Sequence, residues 1–80
     1  MAKYVTKDLA KASFVKVSGY DWINTSKQGK SVYFTLERED FSDDEQGKLL
    51  RDYDNQKTSV EPVSFMLAMS QFRNKVYDLR

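Results

Sequence analysis

Cysteine and histidine are both absent from this 80-residue chain, proline occurs once, and glycine occurs three times. Without cysteine there is no disulfide framework and no thiolate nucleophile. Without histidine as well, zinc and carboxylate–histidine metal sites lose their best ligands. Catalytic triads and most general-base schemes lose their commonest member. Ser13, Ser26, Ser42, Ser59, Ser64 and Ser70 therefore have no imidazole to activate them. Gly19, Gly29 and Gly47 are too scattered to form a phosphate-cradling loop. These absences predict a protein that is not an enzyme and carries no cofactor and no metal. No apolar run approaches the ~18 residues of a membrane span. The opening Met1-Ala2-Lys3-Tyr4-Val5 lacks the apolar core of a secretory signal. A cysteine-free composition fits a reducing compartment, so the expectation is a cytoplasmic protein with no membrane contact.

What is present favours a folded globule. Hydrophobic residues make up 40% of the chain and charged residues 31%, and the aromatics are five Phe, five Tyr and one Trp. Disordered chains are poor in aromatics, which supply large units of burial. The length predicts one domain, residues 1–80, that buries only ~60–65% of its unfolded surface. So thin a core would gain from a second copy, and a homodimer is one expectation. The formal charge of +1 hides an asymmetry. Residues 1–30 carry +4, residues 31–56 carry −5 and residues 57–80 carry +2. Such a split can orient a partner, or simply interleave on a solvated surface.

Along the chain, Lys3–Thr6 reads as a short strand. Thr6 is a candidate cap for a helix over Lys7–Ser18, with Asp8 in its first turn. The apolar stripe of that helix is Leu9, Ala10, Ser13, Phe14 and Val17, and Gly19 is its expected C-terminal stop. Tyr20–Asn24 and Ser31–Glu37 read as strands. In the second, Val32, Phe34 and Leu36 alternate with Ser31, Tyr33, Thr35 and Glu37, a period of two over seven residues. The connector Thr25–Lys30 is long for a tight turn and predicts a looser hairpin with a bulge. Ser42 and Glu45 form a capping box for a helix that runs to Asn55 and buries Leu49, Leu50 and Tyr53. Asn55 is expected to end it in the left-handed conformation, and Gly47 suggests a close contact near Leu50. Pro62 opens the last helix, whose stripe is Phe65, Met69, Phe72, Val76 and Leu79, broadened by Ala68 and by Met66 or Leu67.

The predicted fold is α+β, a two-layer sandwich with order β-α-β-β-α-α. A three-stranded, mainly antiparallel sheet is packed by helices on the face of Val32, Phe34 and Leu36. The strings Tyr4-Val5-Thr6-Lys7-Asp8-Leu9-Ala10, Gly19-Tyr20, Val32-Tyr33-Phe34 and Val60-Glu61-Pro62, leading through Phe65 to Lys75-Val76-Tyr77, resemble a family of short uncharacterised domains. That family, a domain of unknown function, occurs in bacteria, phages and mobile elements. The resemblance covers nearly the whole chain and departs at the acidic stretch Glu39–Asp44. It implies a small non-catalytic domain in a phage or mobile-element setting, and it brings no active residues with it.

Four constellations remain. Glu37, Glu39, Asp40, Asp43, Asp44 and Glu45 are dense enough for a cation, but the calcium-loop spacing is absent and the helix start already uses three of them. Lys7, Lys11, Lys27 and Lys30 would make a phosphate-facing patch if they converged, although a pI near 7.9 is low for a nucleic-acid module. Trp22 and Tyr33 could stack bases or anchor a protein contact if both lay on an open sheet face. The last helix could pair with a second copy through Met66, Met69, Phe72 or Val76. The leading expectation is a non-catalytic interaction module that binds a protein partner. The alternative is a nucleic-acid-binding accessory protein that uses Lys7, Lys11, Lys27, Lys30, Trp22 and Tyr33.

Overall fold

The computed structural model describes residues 1–79. The elements run β1 (Ala2–Thr6), α1 (Leu9–Val17), β2 (Asp21–Gln28), β3 (Ser31–Arg38), α2 (Asp43–Asp54) and α3 (Pro62–Leu79). The period-2 pattern of β3 decides the sheet. Val32, Phe34 and Leu36 are buried, whereas Ser31, Tyr33, Thr35 and Glu37 face the other way. β3 is the central strand of an antiparallel sheet ordered β1-β3-β2. Tyr4 pairs with Leu36 on one side, and Thr25 pairs with Phe34 on the other. A slip of one residue would turn the buried trio to water, which fixes the register. The fold is therefore the α+β arrangement that the sequence predicts.

The hairpin differs from expectation. β2 continues to Gln28, opposite Ser31, so only Gly29 and Lys30 form the turn. Gly29 has φ 62°, the left-handed value that a two-residue hairpin turn asks of its first central residue. The polar stretch Thr25–Gln28, read as connector, is strand because it pairs residue by residue with an apolar β3. The bulge lies lower in β2, between Trp22 and Asn24.

Asp8, not Thr6, caps α1: its carboxylate accepts from the Ala10 N–H at 2.9 Å and the Lys11 N–H at 3.1 Å. The Thr6 hydroxyl accepts from the Asp8 N–H instead. At the other end, the Tyr20 N–H reaches the Val15 carbonyl and the Gly19 N–H reaches the Lys16 carbonyl. This paired closure needs positive φ at Gly19, which has 106°. α2 carries the predicted capping box between Ser42 and Glu45. Its C-terminal closure places Gln56 rather than Asn55 in the left-handed region, at φ 59°. The bonds of that closure run from the Gln56 and Lys57 N–H groups to the Tyr53 and Asp52 carbonyls. Pro62 is the first residue of α3, and the Glu61 carboxylate accepts from the Val63 and Ser64 N–H groups.

The core is aromatic. Phe72 of α3 sits 4.7 Å from Phe34 and 4.4 Å from Trp22, ring centre to ring centre. Phe14 of α1 meets Tyr53 of α2 at 4.6 Å. Ala12 and Val15 are buried in α1 beside Ser13 and Phe14, a broader face than the predicted stripe. The buried Ser13 hydroxyl donates to the Leu9 carbonyl at 2.7 Å, which satisfies it without a partner from elsewhere. In α3 Ala68 and Phe72 are buried and Val76 and Leu79 pack against the core, while Phe65 and Met69 of the predicted stripe are half-buried. Met66 and Leu67 do not broaden it: they are 68% and 60% exposed.

Candidate functional site

The structure divides the six residues singled out by sequence. Lys7 and Lys30 line one cleft of about 200 Å³ with Leu9, Ser31, Val32 and Val76. The start of α1, the hairpin turn and the end of α3 meet there. Lys27 is exposed and pairs across the ladder with Val32, next to the same end of the sheet. Lys11 points elsewhere: its ammonium lies 3.4 Å from the Asp54 carboxylate, which raises its pKa above the usual lysine value. Tyr33 lies on the open face of the sheet. Trp22 does not; it pairs with Leu36 on the buried side, packs on Phe34 and Phe72, and donates its indole N–H to the Thr25 hydroxyl at 2.8 Å. The bulge after Trp22 lets the strand pass from the Trp22–Leu36 pair to the Asn24–Thr35 pair. Trp22 and Tyr33 are thus on opposite faces and cannot form one stacking platform.

The acidic segment is engaged in local structure. Asp40 accepts from the Arg38 Nε at 2.8 Å and Nη2 at 3.3 Å, and this contact holds its carboxyl below the usual carboxylate range. Arg38 also donates to the Ser18 carbonyl at 2.7 Å and lies 4.0 Å over the Phe41 ring. One guanidinium therefore ties the end of β3 to the end of α1 and to the loop before α2, a role with no signal in the sequence. Gln46 has a similar hidden role. It accepts from the buried Tyr20 hydroxyl at 2.9 Å and donates to the Lys3 carbonyl, covering part of the free β1 edge. Burial pushes the Tyr20 phenol above its ordinary pKa.

Among the described residues, four of the seven exposed large hydrophobics lie on α3. Val63, Met66, Leu67 and Tyr77 are 60–68% exposed. At 3.6 residues per turn these four, with Ser70 and Asn74 between them, fall within about 100° of one another. The stripe is centred opposite Phe65, Ala68 and Phe72, so α3 is apolar on two opposite sides. A surface helix ordinarily carries polar residues on its outward face. Leu67 also borders a groove of about 270 Å³ between α1 and α3, lined by Lys16, Val17, Ser64, Ala68 and Gln71. The signal was legible in the sequence, because Val63, Met66, Leu67 and Ser70 repeat at three, one and three. It was masked by the stronger inward stripe. Of the residues expected at a pairing face, Phe72 is in the core, Val76 packs against it, Met69 is half-buried, and Met66 is exposed.

No family model, curated protein or solved structure matches the chain. The resemblance carried by Tyr4–Ala10, Gly19-Tyr20, Val32–Phe34, Val60–Pro62 and Lys75–Tyr77 therefore rests on those strings alone. Among the described residues no helix is long and apolar enough to cross a membrane.

Proposed function

We propose that this chain is a small non-catalytic interaction module that docks a protein through the outer face of α3 in the cytoplasm. The observation that supports the reading is the exposed set Val63, Met66, Leu67 and Tyr77 on the side of α3 turned away from its own core. Apolar side chains scattered singly on a surface are ordinary, but Val63, Met66 and Leu67 adjoin one another on one helix face, the form a helix-binding groove recognises. Methionine and tyrosine suit such a contact: one adapts its shape, and the other gives area at low entropy cost. Immobilised wild-type chain and a Lys7→Gln/Lys30→Gln variant should retain the same partner from the native host. A Met66→Glu/Leu67→Glu variant should lose it. Equal retention by all three would overturn the reading.

A second reading, contact with nucleic acid, draws on Lys7 and Lys30 sharing one cleft with Lys27 nearby. It has lost Lys11 to Asp54 and Trp22 to the core. Phosphate binding would weaken log-linearly with salt, with a slope of about −0.9 per phosphate contacted on duplex DNA. No binding of DNA or RNA at low salt would end it.

A further inference from the structure

We infer that α2 is a strap that detaches from a body made of the sheet, α1 and α3, and that its docked position, through Gln46, closes the outer edge of β1 to strand addition. The inference stands apart from the docking reading above. Three observations lead to it. The first is how little α2 buries. None of its 12 residues is buried, whereas α1 buries Ala12, Ser13, Phe14 and Val15, and α3 buries Ala68 and Phe72. Leu49, Leu50 and Tyr53 are half-buried and rest against the core. Few buried apolar contacts mark the segments of a fold that open first. Gly47, inside α2, weakens the helix itself. A helix of this length is marginal on its own in water, so detachment also unravels it and frees its amides.

The second is the kind of tie that holds α2 down. The Tyr53 ring meets Phe14, the Gln46 side chain bonds the Tyr20 hydroxyl and the Lys3 carbonyl, and the Asp54 carboxylate lies 3.4 Å from Lys11. The ion pair is solvent-exposed and adds little. The stack of Phe72 on Phe34 and Trp22, which joins α3 to the sheet, involves no residue of α2. Residues 39–42 and 55–61 join α2 to β3 and α3 without helix or strand. The third is the state of the sheet edges. An unpaired edge is a template for another strand, and folded proteins blunt it. On β2 the bulge between Trp22 and Asn24 and the exposed Lys27 serve that purpose. On β1 the Gln46 Nε2 donates to the Lys3 carbonyl at 3.1 Å. An added strand would make the same bond with a backbone N–H, so the docked helix and an added strand exclude each other at that carbonyl.

Native-state hydrogen exchange of the full chain, read at the amides of Leu50 in α2, Phe34 in β3 and Phe72 in α3, tests the strap. Leu50 should be at least about tenfold less protected than Phe34 and Phe72. Two variants separate a detaching helix from a uniformly weak fold. Val76→Ala trims a half-buried contact within the body, and that contact persists when α2 is away. It should speed exchange at Phe34 and Phe72 by roughly fivefold and leave Leu50 unchanged. Gln46→Ala removes two hydrogen bonds that exist only while α2 is docked. It should speed all three amides alike, by about threefold or more. If Leu50 is as protected as Phe34 and Phe72, or accelerates with them in Val76→Ala, α2 belongs to one cooperative unit and the inference is overturned. A Leu50 rate that Gln46→Ala leaves unchanged removes Gln46 as the fastener and overturns the closed edge with it.

Discussion

Gly47 and Gln56 are each the wrong kind of residue for the backbone they occupy. Gly47 lies inside α2, where glycine costs ~1 kcal/mol relative to alanine. A Cβ there would meet only the Arg51 side chain, at 3.4 Å. No tight contact near Leu50 explains the glycine, and Gly47→Ala should raise stability by about 0.5–1 kcal/mol in a urea titration. Gln56 holds φ 59° at the C-terminal closure of α2, a conformation that costs a side-chain-bearing residue roughly 1–2 kcal/mol. Gln56→Gly should recover about 1 kcal/mol and raise the thermal midpoint. The carboxylates Asp40 and Glu61 are both held below their usual range. The Arg38 guanidinium lowers the first, and the Ser64 and Val63 N–H groups lower the second. A folded pKa below the unfolded one stabilises the fold above the unfolded value, and that stability is lost as pH falls through the folded one. Stability should therefore decline on the acid side of the ordinary carboxylate range. Replacing Glu61 by Gln, which cannot titrate, should flatten part of the decline in melts taken between pH 6 and pH 3.

At the level of elements, the two sides of α3 should respond very differently to truncation. Phe72 is fully buried between Phe34 and Trp22, so Phe72→Ala removes a ring from the centre of the core. The expected cost is about 3–5 kcal/mol, enough to leave an 80-residue domain largely unfolded. Met66→Ala, about a third of a turn around the helix from Phe72 and 68% exposed, should change monomer stability by less than about 0.5 kcal/mol. Equal losses from the two would show that the outward stripe is packed after all. This contrast also marks what the sequence could and could not reveal. Strong periodicity was readable: the alternation in β3, the four-three spacing of α3 and the Ser42–Glu45 box each point to one local answer. The end of β2 was not, because Thr25, Ser26, Lys27 and Gln28 carry no apolar pattern and become strand only through their partner β3. The cap of α1 is ambiguous in the sequence because Thr6 and Asp8 can both accept backbone hydrogens. Only the chain path out of β1 decides which one does. Arg38 and Gln46 act across long sequence separations, where spacing carries no information. Trp22 turned inward because of a bulge that no local residue announces.

The whole molecule measures 33 × 26 × 20 Å, so its thin dimension holds one sheet and one layer of helices. In so shallow a body every helix keeps one side in water. α3, with 18 residues, is ~27 Å long against a longest dimension of 33 Å. Its outward stripe is therefore a surface feature at the scale of the domain, and stability at that scale should be linked to whatever covers it. If a second copy does, folding and association are coupled by mass action, because the dimer forms from folded chains and not from unfolded ones. Each tenfold rise in protein concentration would then add about 1.4 kcal/mol per dimer to the free energy of unfolding. Trp22, the single tryptophan, packs against Phe34 and Phe72 and reports loss of the core through its fluorescence. Followed by that signal, the urea midpoint of the wild-type chain would then rise with concentration. The midpoint of Met66→Glu would not move. A wild-type midpoint that is flat with concentration would place the stable unit in the single chain and leave the stripe to a different partner.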